Sequence, residues 1–163
     1  MTIEINQKEL ISLFEYKDGS LIWKADHGKN KTMGRIAGCK TSDGYTRIRI
    51  NNRLYLAHRL IWIFHHGYCP KILDHINGKR YDNRIENLRA ATRSNNGMNA
   101  QLSKKNSSGI KGVSWHKASN KWRVSLSIAG HNTHIGCFDD IDLAILVADE
   151  AREKHHGIFA RNH

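Results

Sequence analysis

The chain has 163 residues, enough for one medium-sized domain or two small ones. Lysine and arginine number 26 against 15 acidic residues, so the formal net charge is +11, which favours a polyanionic partner such as nucleic acid. No apolar run approaches the roughly 18 residues that span a bilayer, and no signal-peptide pattern stands at the N-terminus. The sequence therefore predicts neither a membrane protein nor a secreted one.

The three cysteines are odd in number and lie far apart in the chain: Cys39, Cys69 and Cys137. This usage predicts reduced thiols and a cytoplasmic location rather than a disulfide framework. His65 and His66 lie shortly before Cys69, as in half of a zinc site, but no second half with suitable spacing follows. We therefore expect no structural zinc.

The N-terminal part of the chain begins with a predicted helix. Asn6 can cap its start, and apolar residues recur at helical spacing to about Tyr16. The pair Asp18-Gly19 is a turn signal, and a short strand is predicted after it at residues 21–23. The sequence therefore predicts a helix, a turn and a short strand in this order.

A strictly alternating segment follows at residues 45–50. Alternation places Arg47 and Arg49 on one face of a strand and the apolar residues on the other, so the two arginines are candidate DNA contacts. Asn51-Asn52 predicts a tight turn into a second strand, which completes a hairpin. Residues 58–66 then predict a buried helix that ends before the chain's only proline.

A carboxylate and an imidazole stand side by side at Asp74-His75, at the end of the strand predicted for residues 72–75. Asn77-Gly78 is a strong hairpin signal, and residues 92–100 predict a polar helix. Neighbouring residues on an ideal strand point to opposite faces. Asp74 and His75 therefore share a site only if the strand ends there, twists strongly or contains a bulge.

These residue types suit metal-assisted hydrolysis of a phosphodiester. Aspartate and asparagine oxygens are hard ligands, and Asp74 with Asn96 could hold one Mg²⁺ or Mn²⁺ ion while leaving positions open for water and phosphate oxygens. Histidine is the usual proton acceptor of enzymes that work near neutral pH, so His75 could take a proton from an attacking water. The expected products are a 5′-phosphate and a 3′-hydroxyl.

The C-terminal part predicts a small α+β module. Its elements are three strands, at residues 110–115, 121–129 and 132–138, and a helix from Asp139 or Asp140 to about His155. A polar stretch at residues 101–108 is the predicted linker. Alternation in the second strand places Arg123, Ser125 and Ser127 on one polar face, which is a candidate DNA surface and is also typical of any solvated sheet.

The segment from Asp74 to Asn99 resembles the HNH endonucleases of phages and mobile introns. His75, Asn87 and Asn96 match the three positions of the HNH motif, and the run Asp74-His75-Ile76-Asn77-Gly78 is very similar to that family's pattern. The resemblance covers about residues 10–100. It implies a ββα-metal fold at the site and, if a phage encodes the protein, a location in the host cytoplasm.

The same resemblance assigns roles to the motif residues. His75 takes the place of the general base, and Asp74 and Asn96 take those of the metal ligands, with Asn95 as the competing neighbour of Asn96. Asn87 takes the place of the central asparagine at the catalytic centre, which braces the loop through backbone hydrogen bonds. Asparagine stands at the third motif position where many members have histidine, which agrees with Mg²⁺.

Residues 107–162 resemble an AP2 DNA-binding domain. The segments that carry the likeness are Gly109–Val113, Lys121–Val124, Ile135–Phe138 and the alanine-rich helix that ends at Gly157. In that family the three-stranded sheet lies in the major groove of DNA. The resemblance implies these DNA contacts: Lys111, Ser114, His116, Arg123, Ser125 and His134.

The sequence thus predicts an α+β protein with two domains. The nuclease domain spans residues 1–100, with a helix and hairpins at 1–70 and the ββα-metal motif at 71–100, and the AP2-like domain spans 109–163. We expect a monomeric, homing-like enzyme that nicks double-stranded DNA. Two alternatives remain: a non-catalytic, sequence-specific DNA-binding regulator with a vestigial nuclease centre, and, less favoured, an RNA-binding or structural protein.

Overall fold

The computed structural model describes residues 5–26, 31–92, 102, 106 and 108–157. It divides into two compact units, Met1–Ala91 and Thr92–His163. All three cysteines are free thiols. Within the described residues, no helix combines the length and the apolar character that crossing a membrane requires.

The N-terminal unit mixes short helices with short antiparallel strands. Its elements in chain order are α1 (Gln7–Leu13), β1 (Phe14–Lys17), β2 (Ser20–Trp23), β3 (Cys39–Lys40), β4 (Thr46–Ile50), β5 (Arg53–Leu56), α2 (Ala57–His66), β6 (Leu73–His75), a 3₁₀ turn (Ile85–Asn87) and β7 (Leu88–Ala90). Strand β1 pairs with β2, β4 lies between β3 and β5, and β6 pairs with β7. All these pairings are antiparallel.

Helix α1 is shorter than the sequence predicted. Asn6 caps it as expected, since its Oδ1 accepts a hydrogen bond from the Glu9 amide at 2.9 Å. The helix ends at Leu13, and the next four residues form β1 instead of a last helical turn. The Asp18-Gly19 turn explains the difference, because both residues have positive φ, 45° and 80°, and such turns match the twist of a two-stranded hairpin.

The alternation predicted in β4 is confirmed. Ile48 and Ile50 are buried while Arg47 and Arg49 are exposed. The buried helix is also confirmed, at Ala57–His66, and it ends at Gly67 in the left-handed region. Apolar side chains from α1, β1, β2, β4 and α2 then form one core cluster. This core supports the β6–β7 hairpin through Leu88, which is one of its buried members.

The C-terminal unit contains the three strands and the helix that the sequence predicted: β8 (Val113–His116), β9 (Lys121–Ile128), β10 (His131–Phe138) and α3 (Ile141–His156). Strand β9 lies between β8 and β10, and both pairings are antiparallel. Asp140 caps α3, and Ala144 and Ala148 pack against Val113 and Val124. Small residues on this side of α3 let the helix lie close to the sheet.

Arg152 is a buried residue of α3 that the sequence did not single out. Its side chain is fully buried, and its guanidinium donates to the Lys111 carbonyl and to the Asp149 carboxylate. A buried charge requires such partners. Part of the predicted linker also belongs to this unit, because Asn106 donates to the Ile110 carbonyl at 2.9 Å.

Candidate active site

The β6–β7 hairpin carries the Asp74-His75 pair. Strand β6 ends at His75, which faces Leu88 across the hairpin, and Asp74 faces Arg89. The strand therefore ends at the pair, the first of the three geometries under which the two residues could share a site. Their side chains contact different partners, Asp74 with Arg89 and His75 with Asn83.

Asn77-Gly78 does not form the hairpin turn that the sequence predicted. The two strands are separated by a longer loop, residues 76–87, which we call the motif loop. The Gly78 amide donates to the His75 carbonyl at 2.8 Å, so the pair makes a local turn within this loop. The prediction failed because the residue pair Asn77-Gly78 does not show which later segment pairs with β6. That segment is β7.

Asn87 ties the two sides of the motif loop together. Its Oδ1 accepts from the Asn77 amide at 3.0 Å, and its Nδ2 donates to the Asp82 carbonyl at 2.7 Å. Nδ2 also lies 3.1 Å from Asn77 Oδ1. The side chain is 7% exposed, so these bonds replace the water that a buried amide would otherwise need.

Asp82 gives the motif loop a second fixed point. Arg84 donates to both carboxylate oxygens at 2.8 Å, and Asn77 donates to Oδ2 at 2.7 Å. The hydrogen bonds from Arg84 and Asn77 hold the pKa of the Asp82 carboxyl well below its usual range. Asp82 therefore stays ionised at neutral pH and keeps both of these donors.

His75 is held in one orientation by Asn83. The two side chains are 5% and 4% exposed, and His75 Nε2 lies 3.0 Å from Asn83 Oδ1. An amide oxygen only accepts hydrogen bonds, so Nε2 carries the proton and Nδ1 holds the basic lone pair of the neutral ring. Sequence reasoning assigned no role to Asn83, because only the path of the motif loop brings it to His75.

Two aromatic side chains pack against His75. The ring of His58 lies 5.1 Å away between centroids, and the ring of Tyr45 lies 6.2 Å away. Burial, with smaller contributions from the charges of His75 and Arg59, lowers the pKa of His58 to about 3. His58 is therefore neutral at physiological pH. The sequence placed it only at the start of a buried helix.

Asp74 is the buried carboxylate of the candidate site, with 7% of its surface exposed. Arg89 donates to its Oδ2 from Nε at 3.1 Å and from Nη2 at 3.0 Å. A carboxylate is the ligand type that Mg²⁺ and Mn²⁺ prefer, so the donor chemistry of Asp74 fits such an ion. Within the described residues, no group of three or more His, Cys, Asp and Glu side chains could hold a metal ion.

The second predicted metal ligand, Asn96, follows β7 in the chain. Asn96, its competitor Asn95 and most of the polar helix predicted at residues 92–100 lie outside the described residues. The structure thus describes the two strands of the predicted ββα-metal motif and the side chains of Asp74, His75 and Asn87.

A basic surface lies close to the aromatic side chains of the site. The Arg80 guanidinium stands 5.1 Å from the centroid of the Tyr45 ring and donates to the Asp43 carbonyl at 3.0 Å. The exposed Arg47 of β4 approaches the Asp43 carboxylate at 3.8 Å, and Arg49 lies on the same exposed face of the strand. The sequence analysis identified the two strand arginines but missed Arg80, whose position depends on the motif loop.

The C-terminal unit brings five of its six predicted DNA contacts to one face of the sheet. Cross-strand pairing sets Ser114 opposite Arg123, and Ser125 opposite His134. His116 follows Ser114 by two residues in β8, so it shares that face. Lys111 instead precedes β8, where its carbonyl accepts from Arg152.

Comparisons with known proteins bear on the part of the chain that contains this site. A sequence model of the HNH endonuclease family matches residues 55–98, which include β6, the motif loop and β7. Protein 3.8 of Escherichia phage T7 is 33% identical over 106 residues, a stretch that covers 64% of this chain and 87% of the phage protein. No solved structure matches the chain. The chain therefore belongs to the family of phage protein 3.8 and contains an HNH endonuclease domain at residues 55–98.

Proposed function

We propose that this protein is a metal-dependent DNA endonuclease that hydrolyses phosphodiester bonds. The observation that carries the proposal is the buried His75 imidazole, whose Nε2 is held 3.0 Å from Asn83 Oδ1 beside the buried Asp74 carboxylate. Both residues lie inside the stretch that matches the HNH family. A base that is held in one tautomer is suited to take the proton of an attacking water.

In this mechanism His75 accepts a proton at Nδ1 from the water that attacks phosphorus. Asn83 keeps the ring oriented while the ring becomes positively charged, and the Asn87 hydrogen bonds hold the motif loop that carries Asn83. Asp74 and Asn96 would hold one Mg²⁺ or Mn²⁺ ion, which supplies positive charge to the phosphate and to the leaving 3′ oxygen. The bond between phosphorus and the 3′ oxygen breaks, and the leaving oxygen takes a proton from solvent, so the products are a 5′-phosphate and a 3′-hydroxyl.

The DNA partner is assigned to two surfaces, one in each unit. In the N-terminal unit, exposed Arg47 and Arg49 on β4 would contact phosphates close to the nuclease site. In the C-terminal unit, the AP2-like sheet face would contact the duplex and deliver the nuclease to its site, as in a homing-like enzyme. A single nuclease centre on a monomer cuts one strand, so we expect nicks.

The proposal is tested by metal-dependent nicking. Supercoiled plasmids carrying fragments of the DNA that encodes the protein are incubated with the full chain and Mg²⁺ or Mn²⁺. We expect open circles with 5′-phosphate and 3′-hydroxyl ends, none in EDTA, and recovery when excess metal is added back. Asp74→Asn should lower the cleavage rate and raise the metal concentration that is needed. Plasmids that remain intact in every metal would refute the nuclease proposal.

The second candidate function is a DNA-binding regulator without catalysis. It is favoured by one observation, the ion pair in which Arg89 donates twice to Asp74 Oδ2. An arginine on this carboxylate competes with a metal ion for the same oxygen. The regulator predicts that DNA binding needs no metal and that no metal supports cleavage, so the nicking experiment separates the two candidates.

Binding to duplex DNA should weaken steeply with salt if phosphate contacts dominate. We expect log K to fall with log salt by about 0.9 for each phosphate neutralised. Arg123→Gln on the exposed sheet face should reduce this slope by about 0.9, the value for one phosphate contact. Lys154→Gln lies on α3, which packs on the opposite face of the sheet, and should leave the slope unchanged. Fluorescence anisotropy of a labelled duplex measures both slopes, and equal slopes would remove the sheet face from the interface.

A further inference from the structure

The turn of the β1–β2 hairpin lies directly against the motif loop. Gly19 is at this turn with φ +80°, and a Cβ added to it would stand 2.7 Å from the Arg84 amide nitrogen and 3.0 Å from the Asn83 carbonyl carbon. Real Cβ atoms do not approach backbone this closely, so a larger residue at position 19 must displace the peptide between Asn83 and Arg84. The hairpin therefore limits where that peptide can lie.

A hydrogen bond fixes the next residue of the same segment. The Ile85 amide donates to the Tyr16 hydroxyl at 3.0 Å, between residues 69 positions apart in sequence. The Tyr16 ring is itself held, since it makes an edge contact with His65 at 4.5 Å between centroids. Strand β1 thus supplies a rigid acceptor for the motif-loop amide at the start of the 3₁₀ turn.

Both contacts border the residue that orients the imidazole. Asn83 lies between the strand end at His75 and the amide that Tyr16 binds, and its Oδ1 is the atom that His75 Nε2 approaches at 3.0 Å. Asn83 is also 4% exposed, so little water is available to replace this bond. A shift of the Asn83–Arg84 peptide would move Oδ1 away from the imidazole.

We infer that the β1–β2 hairpin positions the general base, with Gly19 and Tyr16 acting on His75 through Asn83. The two residues touch neither the substrate nor the reacting atoms, so they are positioning residues. This inference rests on the proposed nuclease function for its kinetic consequence. Its geometric consequence, a single protonated nitrogen on the His75 ring, does not depend on cleavage.

The test compares two glycines that share a backbone conformation. Gly19 and Gly34 have φ of +80° and +73°, but an added Cβ at Gly34 meets nothing within 4 Å among the described atoms. Gly19→Ala and Gly34→Ala therefore bring similar backbone strain, and only the first displaces the motif loop. Tyr16→Phe is the second test variant, because it keeps the ring and removes the acceptor of the Ile85 amide.

We expect Gly19→Ala to lower kcat for plasmid nicking by about 10- to 100-fold, since misplacing a catalytic group by about 1 Å has effects of this size. KM for DNA should stay unchanged, and Gly34→Ala should keep the wild-type kcat. Tyr16→Phe should lower kcat about 3- to 10-fold, a smaller loss because the ring still packs. Equal kcat for the two glycine variants, together with wild-type kcat for Tyr16→Phe, would overturn the inference.

A second measurement keeps this test separate from the nuclease proposal. Nitrogen-15 NMR of the His75 ring, recorded on the full chain at alkaline pH, reports which ring nitrogen carries the proton. We expect one tautomer, protonated at Nε2, in the wild type and in Gly34→Ala, and a mixture in Gly19→Ala and Tyr16→Phe. If the wild type cleaves no DNA, the nuclease proposal fails and this signal alone decides the inference. A wild-type signal in both Gly19→Ala and Tyr16→Phe would refute it.

Discussion

His75→Ala is expected to reduce strand cleavage by about 10²- to 10⁴-fold, the usual contribution of a positioned general base. The alanine variant has no group to accept the proton of the attacking water. Duplex affinity should stay the same, because His75 is only 5% exposed and Nε2 is engaged with Asn83. Single-turnover cleavage of a plasmid substrate and anisotropy of a labelled duplex measure the two quantities.

Two further variants make the result specific to the base. His75→Gln retains a polar side chain of similar length that could still donate to Asn83 Oδ1, so it should fold like the wild type and remain as inactive as His75→Ala. His116→Ala removes a histidine from the C-terminal unit and should leave the single-turnover rate at saturating DNA unchanged. Cleavage by His75→Gln at the wild-type rate would show that His75 is not the base.

The second large effect is a loss of stability in mild acid that His58 causes. Its pKa is about 3 in the folded protein because the ring is buried, against about 6.5 in an unfolded chain. The unfolded state therefore binds more protons between these values. The stabilisation is complete above about pH 6.5 and declines as the pH falls towards 3, at up to about 1.4 kcal/mol for each pH unit.

The structure explains why His58 resists protonation. The side chain is 5% exposed, and its Nδ1 has no hydrogen-bond partner among the described atoms. A charged imidazole would face His75 on one side, with the ring centroids 5.1 Å apart, and the Arg59 guanidinium also disfavours the charge. No carboxylate is among the groups that shift this pKa, so protonation costs the full desolvation of a cation.

Urea unfolding at pH 7, 6 and 5 measures the effect, followed by the indole NMR signals of Trp23 and Trp62 in the N-terminal unit. In the wild type, we expect the free energy of unfolding to decrease as the pH is lowered from 7 to 5. In His58→Gln it should decrease less, and the difference should be at most about 1.4 kcal/mol for each pH unit, which is the contribution of one proton. His65→Gln is the matched control. The His65 residue is exposed, although partial burial of its ring lowers its pKa, so this variant should keep the pH dependence of the wild type more closely than His58→Gln does. Parallel pH dependence in the wild type and His58→Gln would contradict the assignment.

Local patterns in the sequence account for much of the fold. The alternation at residues 45–50 predicted which residues of β4 are buried, and the three C-terminal strands followed from short apolar runs between turn residues. The helix α3 followed from Asp139 or Asp140 as its start signal and Gly157 at its end, and the structure has Asp140 as the cap. Each of these features depends on residues a few positions apart, which is the range over which side-chain periodicity and capping act.

The errors occurred where distant segments compete with local preference. Apolar spacing predicted that the first helix continues to Tyr16, but pairing with β2 and burial of Phe14 made residues 14–17 a strand. Asn77-Gly78 predicted a tight hairpin, but β6 pairs with β7 across the motif loop. In both cases tertiary contacts outweighed a local preference of modest size.

The sequence by itself determined the chemical inventory of the site and the HNH motif that contains it, because residue types and short spacings are written directly in the chain. Only the tertiary structure decided what surrounds His75. Asn83, His58 and Tyr45 reach the imidazole from three different segments, and Tyr16 reaches the motif loop across 69 positions. Such contacts are set by how the whole core packs, and no local pattern encodes that packing.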